Sequence, residues 1–164
     1  MLFGMKINIR PIQESDNPEL SKIIKGVFEE FDAPKEGTVY VDPTTDDLFS
    51  LFQEKRSACF VGEIDGQVMG ACGIFPTSGL DKDYCELVKF YLRKEARGLG
   101  LGKQLMEQCE IAAIELKYQK IYLESFPEFG KAVGMYQKAG YKSIDHALGN
   151  TGHYGCSIFM IKSI

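Results

Sequence analysis

Apolar and polar positions alternate along Lys6–Pro11 with a period of two, which predicts a half-buried strand. Ser15 and Asp16 then offer helix caps, and Leu20, Ile23, Ile24, Val27 and Phe28 recur at helical spacing up to Glu30. Phe31–Thr45 holds Pro34, Gly37 and Pro43 and reads as a loop, after which Thr45 or Asp46 can cap a short helix ending near Lys55. Two strand-like runs, Ala58–Ile64 and Val68–Phe75, flank Asp65-Gly66, a strong hairpin signal. Past a loop over Pro76–Asp83 comes a strand at 84–92, whose buried part is Cys85–Leu92. A glycine-rich turn leads from it into a helix over Leu101–Lys117 with Leu101, Leu105, Cys109, Ala112 and Leu116 as its apolar stripe. Lys120–Ser125 predicts a strand and Phe129–Lys138 a helix, with Gly140 placed as its C-terminal cap. Tyr141–Asp145 and Cys156–Lys162 close the chain as strands around a loop at Gly149–Gly155. The order β-α-α-β-β-β-α-β-α-β-β, with one strand–helix–strand connection at 84–125, predicts an α/β (α+β) fold around a mixed sheet.

Composition narrows the function without naming it. The 164 residues are 45% hydrophobic and 26% charged, which suits one domain over 1–164 with a real core. A net charge of −4 and the lack of a basic stripe do not favour nucleic acid. Acidity leans only slightly towards cationic substrates. Cysteines stand at 59, 72, 85, 109 and 156 with no C-x-x-C pair; four fall in predicted strands and Cys109 in the helix. They read as reduced thiols packed in a cytoplasmic protein, a catalytic cysteine being the sharper alternative. Met1–Lys6 is too short and mixed for a signal peptide, and no apolar run reaches membrane-span length.

The most informative stretch is Arg97-Gly98-Leu99-Gly100-Leu101-Gly102-Lys103. Glycines at a strand-to-helix turn expose main-chain N–H groups where a helix begins, a setting that suits phosphate or pyrophosphate. The dinucleotide pattern G-x-G-x-x-G fails, because Lys103 or Leu105 stands at its last position. A Walker A loop fails as well: Gln104 follows Lys103, and Arg97 occupies the first glycine's place. The residual pattern, Arg97-x-x-Gly100-x-Gly102, resembles the [QR]-x-x-G-x-[GA] loop of the GNAT family of N-acetyltransferases. A glycine-rich helix entry that binds nothing is the plain alternative for the loop taken alone.

Other segments carry the same resemblance over nearly the whole chain. Ile9-Arg10-Pro11 with Asp16 is similar to the family's first strand and turn, and Phe90-Tyr91-Leu92 to the cofactor-side strand end. Ala132-x-x-x-Tyr136-x-Lys138-x-Gly140-Tyr141 resembles the family's A-x-x-x-Y-x-K-x-G-[FY] helix end. Phe129 departs from it, standing where an asparagine often touches the pantetheine arm. The resemblance implies a central, twisted, mostly antiparallel sheet flanked by helices, with a fourth strand that splays from the fifth at a bulge. It implies acetyl-CoA as acyl donor, an amine as acceptor, Phe90, Tyr91 and Leu92 along the arm, and Arg97, Gly98, Leu99, Gly100, Leu101, Gly102 and Lys103 around the pyrophosphate. Homodimers are common in that family; nothing in this sequence bears on the point.

Acyl transfer to an amine needs a base, an oxyanion donor and a proton for the leaving thiolate. Glu86 is the candidate base: strict alternation puts it on one face with Val88, Phe90 and Leu92, and desolvation there raises a carboxyl's pKa. It also matches the glutamate of the family's histone-acetylating branch; a structural or substrate-orienting glutamate is the alternative. Tyr136 is the candidate acid, which the resemblance places near the sulfur; a core tyrosine is the alternative. His146 and His153 lack partners at ligand spacing and do not make a metal site. Glu29, Glu30 and Asp32 lie where family members often bind acceptors, although such a run is ordinarily a solvated helix end. A catalytically silent acyl-CoA-binding module and a nucleotide-binding protein are the competing readings.

Overall fold

The computed structural model describes residues 4–164; Met1–Phe3, part of the opening stretch read above for a leader, lie outside them. Seven strands form one sheet in the order β1-β2-β3-β4-β5-β7-β6: β1 (Ile7–Pro11), β2 (Ala58–Ile64), β3 (Gln67–Phe75), β4 (Tyr84–Leu92), β5 (Lys120–Ser125), β6 (Lys142–Ile144) and β7 (Ile158–Ser163). All neighbours are antiparallel except β4 and β5. A helix carries the chain between those two strands, so both run the same way. The element order is the one the sequence predicts.

Two cores sandwich the sheet. On the front, α1 (Asn17–Glu30) buries Leu20, Ile23, Ile24, Val27 and Phe28, the residues its periodicity singles out. They pack with Leu48, Val61 and Phe126. On the back, α3 (Leu101–Glu115) and α4 (Gly130–Lys138) cover Cys85, Leu87, Ile121 and Leu123 with Leu105, Cys109 and Tyr136.

Several boundaries differ from the sequence reading for local reasons. Asp16 stands at the N-cap of α1, but its side chain serves the preceding 3-10 turn: its carboxylate accepts the Gln13 N–H at 2.8 Å in a capping box and is forked by Arg10 at 2.8 and 2.9 Å. The second helix, α2 (Leu48–Leu51), starts later and ends sooner, because Pro43–Asp46 forms a 3-10 turn and Asp47 becomes the cap. Phe129 is used in a 3-10 turn ahead of α4, and Gly140 (φ 99°) stops that helix as expected. Cys156 precedes β7 instead of lying in it, so only Cys59, Cys72 and Cys85 are in strands. All five thiols are free, and burial pushes those of Cys85 and Cys156 up to about 12, which suits packed rather than nucleophilic sulfur.

One irregularity shapes the centre of the sheet. Ala71 pairs with Tyr91 and Gly73 with Val88, so Lys89 and Phe90 both stand opposite Cys72. This is a β-bulge, and Lys89 adopts φ 55°, a left-handed conformation rare for a long side chain. The alternation of β4 reverses there. Cys85 and Leu87 face the back core before the bulge; Phe90 and Leu92 face it afterwards. Glu86 and Val88 therefore lie on the opposite face from Phe90 and Leu92, which corrects the shared face that strict alternation predicts.

Close strand packing yields a contrast between glycines. A Cβ on Gly70 would sit 2.3 Å from the Tyr91 carbonyl oxygen, whereas one on Gly26, in α1, would meet nothing within 4 Å. Gly70→Ala is expected to cost about 1–3 kcal/mol, and Gly26→Ala to stabilise by about 0.5–1 kcal/mol. Urea unfolding of the two variants checks both signs.

Candidate active site

The glycine-rich turn sits between the end of β4 and the start of α3. Gly98 and Gly100 take φ 75° and 89°, conformations that glycine adopts without strain. The first main-chain bond of the helix runs from the Gln104 N–H to the Gly100 carbonyl at 3.2 Å. The N–H groups of Leu101, Gly102 and Lys103 thus precede the helical ladder, and no side chain caps this end. Unpaired donors and the positive end of the helix dipole meet at one solvent-facing point.

The flanking side chains divide their work. Gly102 lets the helix start close on the strand: a Cβ there would lie 3.2 Å from Leu92 Cδ1, 3.3 Å from Phe90 Cζ and 3.7 Å from the Met135 sulfur. Leu101 is buried, whereas Leu99 is exposed. Lys103 is exposed and reaches Glu107 at 3.9 Å. The Arg97 guanidinium is not free: it forks onto Glu30 at 2.8 Å twice, donates to the Leu92 carbonyl at 3.0 Å and covers the Phe31 ring. It ties the end of α1 to the turn, and any anion held here rests chiefly on main-chain N–H groups.

Beyond the turn the sheet opens. β4 and β5 pair only over Tyr84–Glu86 and Lys120–Tyr122. From Leu87 onward β4 pairs with β3 alone, and Leu123–Ser125 of β5 pair with β7 alone. Tyr136 borders this region from the back, with its ring 6.1 Å from that of Phe90 and 5.8 Å from that of Tyr141. Burial and the neighbouring Cys72 push its hydroxyl above the ordinary phenol range, so it keeps its proton at any working pH. Tyr91 faces the front, where it packs with Phe28 and Phe129. Phe129 thus serves the aromatic core in the place where the family often has a polar residue.

Glu86 occupies the front face at the last paired position before the opening. It is 4% exposed, its Oε1 accepts only a long 3.4 Å bond from Thr77, and its Oε2 has no partner. That oxygen alone is so placed among the buried side-chain nitrogens and oxygens of the described residues. Burial first, then the nearby Glu124, pushes the Glu86 carboxyl up to about 8.

Several residues of this site lie outside the sequence reading. Glu124 on β5 is bonded by the Tyr122 hydroxyl at 2.6 Å and the Thr151 hydroxyl at 2.8 Å. Buried Lys89 donates to Thr44 and Thr45 at 3.2 and 3.3 Å and lies 3.7 Å from Asp42. Asp42 in turn is 2.8 Å from His153 Nε2, which makes that histidine an inter-loop contact. A lysine inside an apolar strand, and a glutamate in phase with Tyr122, were the available signals. His146 pairs with its neighbour Asp145 at the surface, Glu29 accepts from the Tyr40 hydroxyl, and Asp32 takes a left-handed turn after α1.

Comparison with known proteins agrees with this geometry. The acetyltransferase (GNAT) family model matches residues 24–141. The uncharacterized N-acetyltransferase YjgM of Escherichia coli is 33% identical over 157 residues, covering 95% of this chain and 94% of its own. A GNAT-family acetyltransferase from Staphylococcus aureus superposes with a TM-score of 0.81 at 20% identity, covering 96% of this chain and 99% of its own. The yncA structure from Salmonella typhimurium, with its cofactor acetyl-CoA, gives 0.74 at 16% identity, covering 96% and 94%. This chain belongs to the GNAT family and is an acetyltransferase.

The raised Glu86 carboxyl has a consequence for stability. As pH rises past the ordinary 4.5, the unfolded chain releases this proton while the folded chain keeps it until about 8. Stability is therefore lost across that window, by at most about 1.4 kcal/mol per pH unit for one proton. Urea unfolding at pH 5 to 8 is expected to show a fall that flattens in Glu86→Gln.

Proposed function

We propose that this protein, as a single domain over residues 1–164, transfers an acetyl group from acetyl-CoA to a primary amine of a small molecule or peptide by direct transfer in a ternary complex. One observation carries this reading: an uncapped helix start adjoins a strand that parts from its parallel neighbour just past an orphaned buried carboxyl. The main-chain N–H groups of Gly98–Lys103 suit the pyrophosphate, and the β4 edge at Phe90, Tyr91 and Leu92 suits the amide-bearing arm. When bound, acetyl-CoA supplies a thioester-activated acyl group.

The two candidate catalytic side chains approach from opposite faces of β4. Glu86 on the front takes the proton of the incoming ammonium, directly or through one water. Its carboxyl titrates close to working pH, which suits a base that must both accept and release a proton. Tyr136 on the back holds on its hydroxyl the proton that the leaving sulfur needs. Since that phenol is an unusually weak acid here, proton donation contributes less than an ordinary phenol would. A main-chain donor at the bulge, insensitive to side-chain mutation, supports the carbonyl oxygen.

Thiol release from acetyl-CoA over an amine panel tests the reading. Turnover of at least one amine is expected, with kcat/KM rising through pH 8 as Glu86 ionises. Glu86→Gln is expected to lose about 10²–10⁴-fold in kcat and the pH limb with it. Gly100→Val, at φ 89°, is expected to raise KM for acetyl-CoA sharply. Coenzyme A binding without turnover of any amine would instead favour a silent binding module.

A further inference from the structure

Lys89 stands three residues after Glu86, and in a regular strand those two side chains would point to opposite faces. The bulge cancels that difference. By taking φ 55° opposite Cys72, the chain turns Lys89 to the front, where its ammonium meets Thr44, Thr45 and Asp42, while Phe90 resumes the back face. A left-handed lysine is costly on its own and persists only where its surroundings fix it. Here the surroundings are a turn more than forty residues away, itself fixed by internal bonds. Asp42 anchors the Thr44 N–H and hydroxyl at 2.9 and 2.7 Å, and Thr45 bonds the Val39 carbonyl at 2.7 Å.

The chain of contacts continues past Lys89. The Asp42 oxygen that faces the ammonium is the one 2.8 Å from His153 Nε2. The His153 N–H donates to the Thr151 hydroxyl at 3.1 Å, and that hydroxyl donates to Glu124 at 2.8 Å. One polar path thus links the β4 bulge, the loop before α2 and the loop before β7, and it returns to the strand beside Glu86. On the front side with Glu86 lie Lys89 and Tyr91 from its own strand, its partner Tyr122 on β5 with Glu124 bonded to the Tyr122 hydroxyl, Thr77 from the loop after β3, and Cys156 from the loop before β7. Lys89 is the basic side chain of that set; burial pulls its proton affinity down, and Asp42 and Glu86 push it back up.

We propose that Lys89 is a positioning residue, held by Thr44, Thr45 and Asp42, that locks the β4 bulge against the two front loops and sets the charge of Glu86. The function assigned to Glu86 rests on the reading above; the placement of Lys89 does not.

The test reads Glu86 without requiring an acceptor. Its carboxylic-acid band, identified in the infrared by its loss in Glu86→Gln, is followed from pH 5 to 10 in the full chain. Lys89→Met is expected to raise the proton affinity of Glu86 at least about threefold, because a neighbouring cation is removed. Lys89→Arg, which keeps the charge, is expected to restore most of it. Lys89→Gln loses the charge but puts a neutral, polar amide one bond short of the ammonium's place, so it serves if the methionine variant fails to fold, and it is expected to match the shift. A Glu86 titration unchanged in folded Lys89→Gln or Lys89→Met, with only a lower Tm, would overturn the proposal. If an amine is turned over, the rising limb of kcat/KM is expected to move with the band. If none is, the proposed reaction fails while the infrared shift still decides the role of Lys89.

Discussion

The bulge at Lys89–Phe90 is the constraint on which the rest of this structure turns. Two residues of β4 facing a single Cys72 reverse the strand's alternation within one step. Before it, β4 offers Glu86 to the front; after it, β4 offers Phe90 and Leu92 to the back, against α3 and α4. A bulge also bends its strand and strengthens the local twist. That bend agrees with the loss of pairing between β4 and β5 beyond Glu86. The inserted residue leaves Glu86 on one face and turns Phe90 and Leu92, which back the glycine turn, to the other.

Charge is distributed to match. On the turn side, the Arg97 cation is matched by Glu30, which leaves the uncapped main-chain N–H groups as the positive feature of the turn. Dipoles fixed by the fold need no reorganisation when a ligand arrives. On the front side lie the carboxyls of Glu86 and Glu124 and the buried Lys89, and burial pushes the Glu86 carboxyl up while Lys89 opposes it. The back face near Tyr136 is aromatic and apolar. The same strand therefore separates a polar front from an aromatic, apolar back.

The sequence was legible where a local rule decides the outcome. The α1 stripe, the Asp65-Gly66 hairpin, the β4 boundaries and Gly140 all came from periodicity or turn chemistry, and each is local. Glu86 and the glycine turn were found because a carboxyl in an apolar run and glycines at a strand-to-helix junction are visible in one window of sequence. The face of Glu86 was misjudged: the resemblance implies a bulge in β4, but its place at Lys89–Phe90 shows itself only when β3 and β4 are paired. Asp16 does stand at the N-cap of α1, but its oxygens serve Gln13 and Arg10 ahead of the helix, and Arg10 lies on a different element. The Lys89–Asp42–His153 path was illegible for the same reason: its members are distant in sequence and meet only through the sheet. Arg97, read as a phosphate ligand, is engaged by a glutamate that the motif does not mention.

The most direct measurement is a crystal structure of this chain with coenzyme A. The account predicts the pyrophosphate against the N–H groups of Gly98–Lys103, and the arm lying along β4 from Leu92 towards the gap above Glu86. Density for the arm elsewhere, or β4 and β5 zipped together through Leu92 with the glycine turn bare, would contradict it.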